Sequence, residues 1–200
     1  MFQRNLLIIF VAGAASVVWP LYAQSDEAAR QDVAVQAFGS FLTSTTQDGV
    51  QNTATKSGGV LASYRYFFST HHGVEADYGY SLNTERYTST ESALGVKTHS
   101  HEIFGDYVFR MPFHKVTPFA LAGVGALVFD PKNFAGASTQ TRAAFVYGGG
   151  ADLNLTQHIF IRAEYRGMVY SSATYDLPAL AGVGRVTHRA EPSIGFGYRF

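Results

Sequence analysis

Beyond a polar stretch, QSDEAARQ at 24–31, apolar and polar positions in this chain alternate with a period of two rather than the 3.6 of a helix. The clearest case is IFIRAEYRGMVY. Ile159, Ile161, Ala163, Tyr165, Gly167 and Val169 share one face, and Phe160, Arg162, Glu164, Arg166, Met168 and Tyr170 share the other. A helix would scatter the three charges around its circumference, whereas a strand puts all of them on one side. The same alternation predicts strands over 60–68, 74–83, 101–110, 142–153 and 189–200. Residues 33–42 alternate weakly, and 117–129 are apolar on both faces, which leaves that strand's orientation open. Eight strands result, and the connections between them alternate in length. Short ones fall at 69–73, 111–115 and 154–158; long ones, rich in Ser, Thr, Asn, Ala and Gly, fall at 43–56, 84–98, 130–140 and 171–186. An even number of strands with short turns at one rim and long loops at the other predicts an all-β fold, an eight-stranded antiparallel up-and-down transmembrane β-barrel.

Which face looks inward is settled by size and charge. One set of faces carries Arg65, Arg110, Arg142, Arg162, Arg166, Arg189 and Arg199 with Glu75, Asp77, Glu102, Asp106, Asp152, Glu164 and Glu191. The other carries a dozen aromatic rings, among them Tyr64, Tyr78, Tyr107, Phe145, Tyr165 and Phe196. An eight-stranded barrel is just wide enough to be filled by ordinary side chains, so twelve large rings do not fit inside it. Left in water, they would form an apolar surface larger than a monomer tolerates. Facing lipid, they make the aromatic girdles of a membrane barrel. The fourteen charged residues then form a lumen network, seven of each sign, as expected for a closed, self-neutralising interior.

Composition agrees with this sorting. The chain is 15% charged and 14% aromatic, against about 25% charged in an average soluble domain. A formal charge of zero argues against nucleic acid as a partner, because phosphate binding needs a basic face. Residues 1–23 read as a signal peptide. Arg4 precedes an apolar run from Leu6 to Val18, Pro20 breaks it, and Ala23 supplies the small residue for cleavage, although Leu21 stands where a second small residue is usual. The domain reading is therefore a signal peptide at 1–23, a polar linker at 24–31 and the barrel at 32–200. With no cysteine, neither disulfides nor thiolate metal sites hold the exported fold.

The C-terminal run Ile194-Gly195-Phe196-Gly197-Tyr198-Arg199-Phe200 resembles the closing signature of outer-membrane barrels, and Pro118-Phe119 followed by AGVGAL is similar to a strand of the small OmpA/OmpX-like barrels. The resemblance covers the chain after the signal. It implies an outer-membrane location in a Gram-negative-type bacterium, with outer-membrane lipids as surroundings. It also implies that Phe196, Tyr198 and Phe200 are read by the barrel-assembly machinery, with periplasmic chaperones as earlier partners, and that the barrel is a monomer. It is unspecific for activity, since the superfamily holds adhesins, structural barrels, narrow channels and lipid-modifying enzymes.

Chemistry beyond the lumen is sparse. His99 and His101 share a strand face, and His71, His72 and His158 lie near the short turns, but two imidazoles without a third ligand do not make a metal site. In His99-Ser100-His101-Glu102, neighbours on a strand point to opposite faces, so Ser100 diverges from both possible bases. The lipid A deacylase pattern of His and Ser two apart is absent. The expectation is a non-enzymatic barrel with no cofactor, in a structural or surface-interaction role through its long loops, whose ligands the composition does not specify. The alternatives are a lipid-modifying outer-membrane enzyme or a narrow solute channel.

Overall fold

A computed structural model of the chain describes residues 30–42, 45–47, 50–54, 57–88, 93–131, 139–171 and 186–200. The signal segment with Ala23, and the linker up to residue 29, lie outside the described residues. The elements in order are β1 (Gln31–Leu42), β2 (Thr45–Gln47), β3 (Val50–Ala54), β4 (Ser57–Phe67), β5 (His72–Thr88), β6 (Ala93–Arg110), β7 (Val116–Pro131), β8 (Gln140–Asn154), β9 (Ile159–Ser171) and β10 (Val186–Arg199). No helix occurs among the described residues.

Eight of these strands close into a ring. Strand β1 pairs with β4 on one side and β10 on the other, β4 continues through β5, β6, β7, β8 and β9 to β10, and every pairing is antiparallel. In hydrocarbon a free strand edge would leave a row of backbone donors and acceptors without partners, so closure is what lets a sheet cross a bilayer. The last described backbone bond of the seam runs from the amide of Phe200 to the carbonyl of Gln31 at 2.9 Å. Phe200 therefore takes part in completing the ring.

Along each strand buried and exposed residues alternate, as in β9, where Phe160, Arg162, Glu164, Arg166, Met168 and Tyr170 are buried. The strand that is apolar on both faces acquires an orientation: Thr117, Phe119, Leu121, Leu127 and Phe129 of β7 point inward, and Val124 is 68% exposed on the outside. Three expected boundaries change. Strand β1 begins at Gln31, inside the expected linker, and Asp32 is a buried lumen residue. The expected loop at 84–98 is mostly ladder, paired from Asn83 with Thr98 up to Thr88 with Ala93, which leaves only 89–92 outside the described residues. The expected loop at 43–56 contains the β2–β3 hairpin, and β3 pairs with the upper end of β5. Above the lipid both faces of a strand meet water, so pairing continues there without apolar alternation. The remaining long connections, at 132–138 and 172–185, lie outside the described residues.

Histidine and tyrosine mark both boundaries of the outer surface. At the short-turn rim His72 packs against Phe109 and Tyr107, and His158 stacks on Tyr198, with ring centroids 5.3, 6.0 and 5.6 Å apart respectively. At the other rim Tyr80 and Tyr78 bond the Nδ1 atoms of His99 and His101, each at 2.8 Å. Tyr147 reaches from β8 across Gly167 of β9 to His188 of β10, Oη to Nε2 2.6 Å. A Cβ on Gly167 would lie 2.7 Å from the Tyr147 ring, so glycine is what lets the ring cross. Phe109 and His99 are ten positions apart on β6, about 33 Å along a strand, which at the usual tilt is about 25 Å of height, the thickness of the apolar band of such barrels.

A charge on that band should be costly. Val124→Arg, mid-strand on β7 and fully turned to lipid, is expected to lower stability by about 2–4 kcal/mol. Urea titration of the refolded barrel in lipid vesicles, followed by the gel mobility shift between unheated and boiled samples, measures this.

Candidate functional site: the barrel interior

The interior is built by the inward positions of eight strands, and the sequence alternation places its charges there. Of the fourteen expected lumen residues, Arg65, Glu75, Asp77, Glu102, Asp106, Arg110, Asp152, Arg162, Glu164, Arg166, Arg189 and Glu191 are buried. Arg142 and Arg199 are half-buried near opposite rims. Asp32 joins them, so the interior holds eight carboxylates against seven guanidiniums rather than seven of each.

The network falls into two parts. Toward the short turns, Arg162 makes a forked contact with Asp152, Nε to Oδ1 2.7 Å and Nη2 to Oδ2 3.0 Å. It also donates to Asp32 on β1 at 3.1 Å and to Ser63 on β4 at 3.3 Å. Arg199 approaches the same Asp152 at 3.5 Å and donates to Asn154 at 3.2 Å. Phenylalanine rings hold these guanidiniums in place: Arg199 and Arg162 lie over Phe160, Arg65 over Phe119 at 4.0 Å, and Arg110 over Phe67 at 3.5 Å. Arg110 itself donates to the Thr70 carbonyl at 2.9 Å.

Farther up, the contacts span the diameter. In the ring β9 stands opposite β5, and β10 opposite β6. Arg166 of β9 meets Asp77 of β5 at 3.5 Å, Glu102 of β6 at 3.0 Å and Glu191 of β10 at 2.8 Å. Arg189 of β10 is ion-paired with Glu102 and Glu191, and its Nε donates to Ser40 at 2.7 Å. Arg65 pairs with Glu75 beside it and with Glu164 across the lumen. Arg65, Arg162 and Arg166 are each at most 1% exposed.

The other half of the interior is apolar, and the charge pattern did not reveal it. Phe104 and Val108 of β6, Leu121, Leu127 and Phe129 of β7, Val146 of β8 and Met168 of β9 belong to one buried cluster. These residues occupy the inward phase of their strands, which is the signal that could have found them. The neutral Gln36, Ser63, Ser81 and Ser193 also line the interior; Ser193 donates to Gln36 at 3.0 Å. The exterior candidates separate. Ser100 is 1% exposed inside the barrel, whereas His99 and His101 face outward against Tyr80 and Tyr78. Of the C-terminal trio, Phe196 and Tyr198 face outward, and Tyr198 meets Phe200 edge-on at 5.1 Å.

A closed antiparallel ring with an aromatic outer belt and an ion-paired interior defines a transmembrane β-barrel. Residues 8–200 match the Outer membrane protein beta-barrel domain, and the chain belongs to that family. It is an outer-membrane protein of the Gram-negative type. It is 27% identical over 129 residues to the 25 kDa outer-membrane immunogenic protein of Brucella canis, a match covering 64% of this chain and 58% of that protein's length. Among solved structures, OprG of Pseudomonas aeruginosa is 16% identical with a TM-score of 0.63 over 87% of this chain and 97% of that one. Neisserial surface protein A is 16% identical with a TM-score of 0.62 over 85% and 97%. Ail of Yersinia pestis, in complex with the heparin analogue sucrose octasulfate, is 19% identical with a TM-score of 0.54 over 87% and 100%.

Removing one member of a diametral contact leaves buried charges without a partner. Arg166→Met should destabilise the folded barrel by about 3–5 kcal/mol, read as a lower urea midpoint in micelles. Arg166→Lys keeps the charge but loses the planar fork whose two terminal nitrogens reach the three carboxylates, and is expected to recover only part of the loss.

Proposed function

We propose that this protein is a sealed membrane anchor that presents its upper strands and long connections to the cell exterior, in a structural or surface-interaction role. The observation that carries this reading is the pair of diametral bridges, Arg166 to Asp77 and Arg189 to Glu102, which cross the lumen where a water path would have to run. The apolar cluster fills the β6–β8 side of the interior. Channels with an aqueous lumen use many more strands. A catalytic role finds no support at Ser100, whose hydroxyl lies inside while the neighbouring imidazoles lie outside.

The extension of β5 and β6 and the β2–β3 hairpin raise a paired platform above the outer His–Tyr boundary. Such a platform stands clear of the lipid, where a partner can reach it. The relative from Brucella canis is described as immunogenic and the Ail structure carries a sulfated sugar analogue; both fit the reading that barrels of this build meet their surroundings through this rim. Phe196, Tyr198 and Phe200 act during insertion, as substrates of the assembly machinery, and the mature barrel works as a monomer.

Protein refolded into planar bilayers should give no steady open-channel current, while a variant with Arg166 and Arg189 both replaced by Ser should show raised conductance. A large reproducible current through the unaltered protein contradicts the sealed-anchor reading and favours the narrow channel.

A further inference from the structure

The two parts of the lumen network differ in charge balance. The part near the short turns sets Asp32 and Asp152 against Arg162, Arg199 and Arg110, and so has no surplus of carboxylate. The part above it has one. Arg65, Arg166 and Arg189 serve Glu75, Glu164, Asp77, Glu102 and Glu191, and Asp106 lies beside Glu75 and Asp77, so six carboxylates meet these three guanidiniums, with Arg142 half-buried at the rim and bonded to Gln140. The surplus is concentrated at one place. Glu75 of β5 stands directly opposite Asp106 of β6, with Asp77 two positions along β5 on the same face, and ligand atoms of the three lie within 4.8 Å of one another. Like charges in directly opposed register positions are unfavourable even at a surface. Here all three are at most 4% exposed.

Glu75 and Asp77 each have one oxygen turned to a guanidinium, of Arg65 and Arg166 respectively. Asp106, from the neighbouring strand, has none. Both of its oxygens are buried and lack a donor, as do Oε1 of Glu75 and Oδ1 of Asp77. On its far side Asp106 pairs in register with Gly123 of β7, where a Cβ would sit 2.1 Å from Oδ1, so the position has no space for a side chain and that strand offers no donor or charge there. An isolated carboxylate in such surroundings is prohibitively costly without a positive partner.

From this convergence we propose that Glu75, Asp77 and Asp106 form a binding site for one hard divalent cation inside the barrel. Four carboxylate oxygens without a donor suit an ion that takes oxygen ligands in flexible geometry, as calcium does. The charge suits it as well, since two positive charges offset the carboxylate charge that Arg65 and Arg166 leave in this cluster. The ion would tie β5 to β6 on the side of the lumen opposite β9, whose Arg166 approaches the same group.

The test uses protein refolded from urea into detergent micelles, which excludes lipopolysaccharide as another source of bound cation. Refolding is carried out with calcium or with chelator, followed by desalting and metal analysis. The expected result is about one retained calcium per chain after refolding with calcium, with a thermal unfolding midpoint above that of the chelator sample. Asp106→Asn should retain none and show no calcium-dependent shift. Unaltered protein that retains no calcium, and unfolds at the same temperature with and without it, would overturn the proposal and assign the surplus charge to protons shared among the carboxyls. That readout needs no variant to fold. Retention undiminished in both Asp106→Asn and Asp77→Asn would also overturn it, by placing the ion elsewhere.

Discussion

The guanidinium of Arg166 is surrounded by protein on every side and touches carboxylates from three strands, one of them across the full width of the barrel. A charge in that position is tolerable only while its partners stay within hydrogen-bond reach, and they stay only while the ring is closed in one register. Sliding any strand by one residue would turn its inner face to lipid and its aromatic face to the lumen. The charged interior therefore acts as a register lock. Lipid enforces the same choice from outside, through the cost of any arginine that turns toward it.

The two halves of the interior divide this work. On the β6–β8 side the cluster around Leu127, Val146 and Met168 fills space by shape, and small errors of position cost little electrostatically. On the side of β1, β4, β5, β9 and β10 the contacts are directional and forked, and the guanidiniums of Arg110, Arg65 and Arg162 lie over the rings of Phe67, Phe119 and Phe160. Cation–π contacts of this kind strengthen when water is absent. The lower part of the network has guanidiniums enough for its carboxylates, whereas the upper part has a surplus of carboxylate, and it is there that an ion from outside is proposed.

Much of this was legible in the residues taken alone. Alternation with a period of two separated belt from lumen in six of the strands, because one face meets lipid and the other a packed interior, so the two differ sharply in residue type. Asp32 was not legible, because it follows a run of polar residues that looks continuous with the linker; its only signal is that it stands in phase with Ala34, Gln36 and Phe38. The upper ladders of β5 and β6 were read as loop because strands in water on both faces need no apolar side. Which guanidinium meets which carboxylate is also absent from the pattern. Those pairs depend on how each strand is staggered around the ring, and Arg166 finds Asp77 from the opposite wall, 89 positions away in sequence.

The central claim is that aromatic faces meet lipid while the alternate faces form a packed interior. In a chain from residue 24 onward no tryptophan is present, since the one tryptophan is Trp19. Single tryptophans at Phe196, on the outer face, and at Phe104, on the inner face, can therefore be read without background. In vesicles of lipids brominated along their acyl chains, fluorescence from Phe196→Trp should be strongly quenched and that from Phe104→Trp should not. Quenching in the reverse order, or equal quenching of both, would contradict the assignment of the two faces.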